Sequence, residues 1–316
     1  MTDFATARHI ARRTSAALDA AVRAGRDLGL AVTDARVLHD LFSVVVHLAP
    51  SPVVARIPTV LPDRDDLGAL ARRQRAELDV AGWLAGQGTP VIPPSPLVPR
   101  EPVQRDGFSM TFWRFAAEDP DREPDYAAHS ESVADLHAAM RAYPGRLDFL
   151  SAADPDFLSR SLAGLDRYPA LIGAADLDRA RREWAALEPL VRSRPAFEAR
   201  FAGIGLQPVH GDSPAANVFR GVDGDLFADF ELVTLGPVEW DMAALGPDLE
   251  AAYDRGARRN GLRPLDPGVL GFVNAVGMLR VVAYLSLVPQ LPAAEEFLRP
   301  ALEHWRTMPF AGGAAG

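Results

Sequence analysis

The chain of 316 residues contains no cysteine and no lysine. Without a thiol there is no disulfide, no thiolate nucleophile and no cysteine-ligated zinc. Without lysine, all 33 basic residues other than histidine are arginine. A coding bias toward Ala, Arg, Gly and Pro produces the same pattern as selection against the amine. No uninterrupted apolar run reaches the ~20 residues that span a bilayer. The longest such stretch, near Val273 to Val288, is broken by Gly277, Arg280 and Ser286. The N-terminus spreads Asp3, Arg8, Arg12 and Arg13 along a helical pattern, unlike a secretory signal. Clustered positive charge is missing too. The net charge is −9 and the arginines alternate with acids along helical stretches, the pattern of solvated helix faces rather than of a phosphate-backbone binder. Internal repeats and low-complexity segments are also absent. The expectation is a cytoplasmic protein with neither nucleic acid nor membrane as partner.

What is present is a dense polar motif late in the chain. His210-Gly211-Asp212-Ser213-Pro214-Ala215-Ala216-Asn217 is followed by Asp229-Phe230-Glu231. Phosphoryl transfer needs a carboxylate to orient and accept the proton of the attacking hydroxyl, and oxygen ligands for the metal that neutralises the phosphate. The spacing of His210, Asp212 and Asn217 fits H-x-D-x-x-x-x-N. After it, Asn217 to Arg220 reads as a strand, Gly221 to Asp225 as an Asp-Gly turn, and Leu226 to Ala228 as the return strand. Such a hairpin carries Asp229 back beside Asn217.

HGDSPAANVF, then ADFE, then GPVEWDMA, resembles the aminoglycoside phosphotransferase and choline kinase superfamily of small-molecule kinases. The resemblance implies a bilobal, protein-kinase-like α+β fold: an N-lobe over residues 1–116, with an antiparallel sheet and one main helix, and a mostly helical C-lobe over 117–316. It implies Asp212 as catalytic base, Asn217 and Asp229 as magnesium ligands, and His210 and Asp241 as supports of the loop. It implies ATP or GTP and Mg2+ as cofactors, and a small-molecule hydroxyl acceptor, with cationic acceptors such as aminoglycosides or other amines included.

Upstream, an amphipathic helix fills the first thirty residues, with Ile10, Leu18 and Val22 among its apolar positions. Two β-branched runs, 43–48 and 53–57, read as a hairpin. It resembles the second and third strands of a kinase N-lobe, with Arg56 at the place of the phosphate-binding lysine. The following helix, about Asp65 to Gly86, carries Glu77, and an Arg56–Glu77 ion pair is expected. No G-x-G-x-x-G precedes Val44. Gly107 to Phe115 reads as an apolar strand entering the hinge, which makes residues 112–116, with Phe112, Trp113, Arg114 and Phe115, the expected adenine wall. Aromatic core packing is the alternative use of the same residues.

Residues 118–125, acidic and Pro-rich, read as a lobe boundary. Helices then predominate: Ser132 to Tyr143 with a structural His137, Asp154 to Arg194 interrupted near Pro169 and Gly173, and three more from Trp240 onward. Glu239, Asp248, Glu250 and Asp254 are candidates to receive a cationic acceptor, although acids also collect at helix N-termini. Two other functions fit less of the chain. A nucleotide-binding pseudokinase would explain the missing lysine and glycine-rich loop. A metal-dependent hydrolase using His210, Asp212, Asp229 and His304 lacks a second histidine near His210.

Overall fold

A computed structural model gives the fold, and it describes residues 4–61 and 67–311. Helix α1 (Ala7–Asp27) starts where the Thr6 hydroxyl caps the amide of His9. Its small residues Ala17, Ala20, Ala21 and Ala24 form a buried stripe at helical spacing. Strands β1 (Val32–Asp40), β2 (Ser43–Pro50) and β3 (Val53–Pro58) follow, then α2 (Leu67–Gly86), β4 (Val103–Arg105) and β5 (Phe108–Arg114). The strands form one antiparallel sheet in the order β1-β2-β3-β5-β4. Alternation sorts its faces. Val44, Val46, Val53, Ala55, Ile57, Met110 and Phe112 pack in one apolar core with α1. Val45, Val54 and Arg56 point the other way, into cavities.

β1 has no counterpart in the sequence reading, because only Val32 of its residues is buried and its side chains do not alternate in polarity. The turn after it, Leu41-Phe42, is held by the amides of Thr59 and Val60 on the Phe42 carbonyl. Of the helix expected from Asp65, the residues before Leu67 lie outside the described ones. The expected boundary region at 118–125 bonds back to the chain: Glu118 bridges Gly221, and Asp125 caps the next helix on the amide of Ala128. That cap starts α3 (Tyr126–Met140) six residues ahead of the expected Ser132.

The remainder is mainly helical: α4 (Pro155–Gly164), α5 (Ala174–Arg192), α6 (Arg194–Arg200), then β6 (Gln207–Val209), the hairpin β7 (Val218–Gly221) and β8 (Gly224–Phe227), β9 (Thr234–Gly236), α7 (Pro247–Arg259), α8 (Pro267–Tyr284) and α9 (Ala294–Thr307). A second, larger core runs from Leu78 and Leu84 of α2 through α3, α4 and α8 to Trp305 of α9. Thus α2 shares its core with the C-terminal helices, not with α1. Pro267–Leu287 is long and apolar enough, by length and composition, to cross a membrane, which corrects the reading of that stretch as too interrupted. Just over half of it, 56%, is buried inside the protein, as in a core helix.

Candidate functional site

The loop after β6 is shaped by backbone constraints. Gly211 sits at φ +91°, and a Cβ there would lie 1.9 Å from the carbonyl oxygen of Leu232, so only glycine fits. The fully buried Asp241 carboxylate accepts hydrogen bonds from the His210 amide at 2.8 Å and the Gly211 amide at 2.7 Å. Trp240 Nε1 donates to the Gly211 carbonyl at 3.0 Å. Asp241 also meets His137 Nε2 at 2.8 Å, and His137 Nδ1 lies 2.9 Å from the Tyr253 hydroxyl on α7. A carboxylate only accepts, so Nε2 carries the hydrogen and Tyr253 donates to Nδ1. Burial, joined by the charges of Glu239 and Asp241, pushes the Tyr253 phenol up and keeps it protonated. His137 is therefore the structural residue expected, and it also ties the loop to α7.

His210 is buried, with Nε2 2.8 Å from the Ala228 carbonyl and its ring 4.6 Å from that of Phe230. It joins the loop to the segment carrying Asp229. The hairpin pairs Val218 with Phe227, and the Ala228 amide reaches the Asn217 carbonyl at 2.9 Å. Asp229 follows at φ +65°, in the left-handed region, a strained position for a non-glycine residue. Asn217 Nδ2 donates to the Asp212 carbonyl at 2.8 Å, which leaves Oδ1 as its free oxygen.

Asp212, Asn217 and Asp229 line one cavity of about 440 Å³, together with Glu231 and three arginines, Arg56, Arg73 and Arg280. A second cavity of about 250 Å³ meets it at Val45, Arg56 and Asp229; Val54, Ile92, Trp113 and Phe219 make its walls mainly apolar. Arg56 stands at the junction. It contacts Glu231 at 2.6 Å, Asp229 at 2.8 Å and Glu77 at 3.4 Å. The expected pair with Glu77 is thus its longest contact. Glu231, two residues after Asp229, was named in the sequence reading as part of ADFE but given no role there. Desolvation pushes the Glu77 carboxyl up to about 8, against the pull of Arg56 and with the repulsion of Asp229 and Glu231. Glu231 is raised for the same first reason, although part of its surface opens to the cavity. The three carboxylates hold Arg56 firmly charged in spite of its burial.

Other expected residues are redistributed. Of the proposed adenine wall, Trp113 and Arg114 line the smaller cavity, joined by Ala116. Phe112 points into the α1 core because neighbouring strand residues face opposite ways, and Phe115 stacks on His47 at 3.9 Å. None of the four acids proposed for a cationic acceptor lines either cavity. Glu239 is buried and accepts from Arg263 and from the Asp266 amide; Asp254 accepts from the Leu265 amide. Asp248 and Glu250 occupy the first turn of α7. His304 is exposed on α9, so the hydrolase set does not assemble. Among the described residues no group of three or more His, Asp or Glu side chains is gathered as for a metal. A magnesium ion asks less of the protein, because it takes one or two protein oxygens and fills its octahedron with water and phosphate oxygens. The free Asn217 Oδ1 and the Asp229 carboxylate, whose Oδ1 pairs with Arg56 at 2.8 Å, are hard oxygen ligands of that kind.

Residues 44–267 match the model of the phosphotransferase enzyme family, and the chain belongs to that family. Its fold is shared by solved structures of low sequence identity. An amicoumacin kinase in complex with AMP-PNP, Ca2+ and Ami aligns at TM-score 0.62 with 14% identity, over 96% of this chain and 99% of that one. The aminoglycoside phosphotransferase APH(3″)-Id from Streptomyces rimosus aligns at 0.54 with 19% identity, over 84% and 97%. A microcompartment-associated aminopropanol kinase aligns at 0.55 with 16% identity, over 93% and 95%. No curated protein matches the chain by sequence.

Proposed function

We propose that this phosphotransferase moves the γ-phosphate of ATP or GTP to a hydroxyl of a small molecule, with Asp212 as the base. The observation that carries the reading is the meeting of two cavities at Arg56: an apolar slot suited to a purine, and a polar chamber lined by Asp212, Asn217 and Asp229. The AMP-PNP and Ca2+ bound by the amicoumacin kinase support a nucleotide and a divalent metal here. Asn217 and Asp229 would hold Mg2+. Bound there, Mg2+ neutralises charge on the phosphates.

In the reaction the acceptor oxygen bonds to the γ-phosphorus as the bond to the bridging oxygen breaks. The nucleoside diphosphate leaves with that electron pair, and the hydroxyl proton passes to Asp212. Asp241 and His210 keep Asp212 in place through the loop backbone. Arg56 faces the phosphates from β3, in the role the resemblance gives to lysine, and Trp113 and Arg114 border the base. Residues 1–116 would then supply most of the nucleotide contacts and 117–316 the chemistry.

The test is magnesium-dependent release of ADP or GDP by purified protein, with and without hydroxyl acceptors. Asp212→Ala is expected to lower kcat by about 10²–10⁴ while nucleotide affinity stays within a few-fold. Undiminished turnover in that variant would remove Asp212 from the mechanism, and nucleotide binding with no turnover on any acceptor would favour a binding module.

A further inference from the structure

Beyond Asp212 the larger cavity extends along α8 between Phe42, Phe157, Tyr284 and Leu287. Its charged groups are almost all committed. Asp229 and Glu231 hold Arg56, while Asp154 pairs with Arg73 and caps α4 by accepting from the Phe157 amide at 3.2 Å. Among the described residues that line it, no acid other than Asp212 is left to receive an ammonium group, and one cation forms no ion pair. Arg280 donates from Nη2 to the Tyr284 hydroxyl at 3.0 Å and lies 5.7 Å from that ring and 6.0 Å from the Trp240 ring, but it pairs with no carboxylate. Burial works against its charge, and Tyr284 and Asp212 more than restore it. A guanidinium whose direct contacts are a phenol and aromatic faces, with no ion pair, keeps donors free for a ligand. Its planar fork matches a carboxylate in geometry as well as charge.

We propose that the acceptor is a hydroxy acid whose carboxylate binds Arg280, whose hydroxyl reaches Asp212 and whose apolar body lies against Phe42, Phe157 and Leu287; this rests on the kinase reading above. Arg280 then acts as a specificity residue, and the class differs from the amine-bearing acceptors that the sequence resemblance suggests. The cavity favours it on charge, because an ammonium would be repelled by Arg280, while the acids that act on Arg280 are engaged elsewhere: Asp212 with the acceptor hydroxyl and Asp154 with Arg73.

Two matched sets separate the possibilities: 3-phenyllactate, 3-phenylpropane-1,2-diol and 1-amino-3-phenylpropan-2-ol; and glycerate, glycerol and 3-aminopropane-1,2-diol. Each set keeps a hydroxyl on one skeleton while the second group is anionic, neutral or cationic. Affinities are measured calorimetrically on protein loaded with magnesium and AMP-PNP. Failure to bind AMP-PNP would strike the kinase reading rather than the acceptor. With nucleotide bound, the carboxylate member should bind at least about tenfold more tightly than its neutral partner in one set or both. Arg280→Gln should erase that preference, and Arg280→Lys, which keeps the charge without the fork, should retain part of it. AMP-PNP binding by each variant reports that the fold survives. No binding of either carboxylate member, a preference for the cationic member, or a carboxylate preference that persists in Arg280→Gln would each overturn the proposal. So would a kcat loss in Arg280→Gln with KM unchanged, which would place the guanidinium on the transferring phosphate instead.

Discussion

Arg56 and Arg280 line one cavity from different kinds of structure, the first from a strand of the sheet and the second from a helix of the larger core. Arg56 is surrounded by three carboxyl groups, of Glu77, Asp229 and Glu231. Arg280 has a phenol and two aromatic rings. A guanidinium saturated by protein acids fixes where those acids stand. One whose direct contacts are neutral, with Asp212 and Asp154 acting on it only across space, keeps its donors for a ligand. The two ends of the cavity are therefore built on opposite plans: repulsion among acids relieved by one shared cation at the nucleotide end, and an unshared cation at the other.

Removing the shared cation breaks this contrast most severely. Arg56→Ala leaves Glu77, Asp229 and Glu231 facing one another and should destabilise the protein by about 3–5 kcal/mol, the usual cost of stripping one partner from a buried pair. Chemical denaturation measures it, and a loss under 1 kcal/mol would mean that the acids rearrange freely. Arg56→Lys should recover part of the loss as a point charge, without reaching all three acids at once.

A smaller effect lies in the pH dependence of the nucleotide-free protein. Folded Glu77 holds its proton up to about 8, against an ordinary 4.5 when unfolded. Between those values the folded state binds more protons, so stability is greatest below 4.5 and falls as pH rises toward 8. Glu77→Gln should flatten that slope between about pH 5 and 9 in melting experiments. An unchanged slope would show that Glu77 is ionised throughout. The smallest effect sharpens the other end. Asp248→Asn and Glu250→Gln, on the first turn of α7, should leave acceptor KM within about twofold, as surface changes away from a site do. A tenfold rise would return α7 to the acceptor site.

Much of this site was legible in local sequence. The loop, the hairpin and Asp229 lie within a few turns of chain, and their spacing alone sets Asn217 beside Ala228. Arg56 and Glu77 were legible as a pair, but the number of acids Arg56 serves depends on how β3 meets the segment 175 residues later that carries Glu231. The expected adenine wall divides: Trp113 and Arg114 line the smaller cavity while Phe112 turns to the α1 core, because a run of Phe, Trp, Arg and Phe does not reveal which side chains face inward. Arg280 was visible in the sequence as an interruption of an apolar stretch. Its meaning came from its contacts, Tyr284 and Trp240, and from the lack of an ion pair with any described carboxylate. β1 was hidden because an edge strand with both faces largely exposed carries no alternating pattern.

The absence of lysine reaches into the laboratory. Arg56 stands where the resemblance places an amine, and a guanidinium neither forms imines nor is acylated by activated esters under conditions that modify lysine. Nucleotide-based reagents designed to label that lysine should pass over this protein even while it binds their purine, and a profiling experiment relying on them would score an occupied site as silent. Dicarbonyl reagents selective for arginine, blocked by nucleotide at one end and by acceptor at the other, are the matching chemistry.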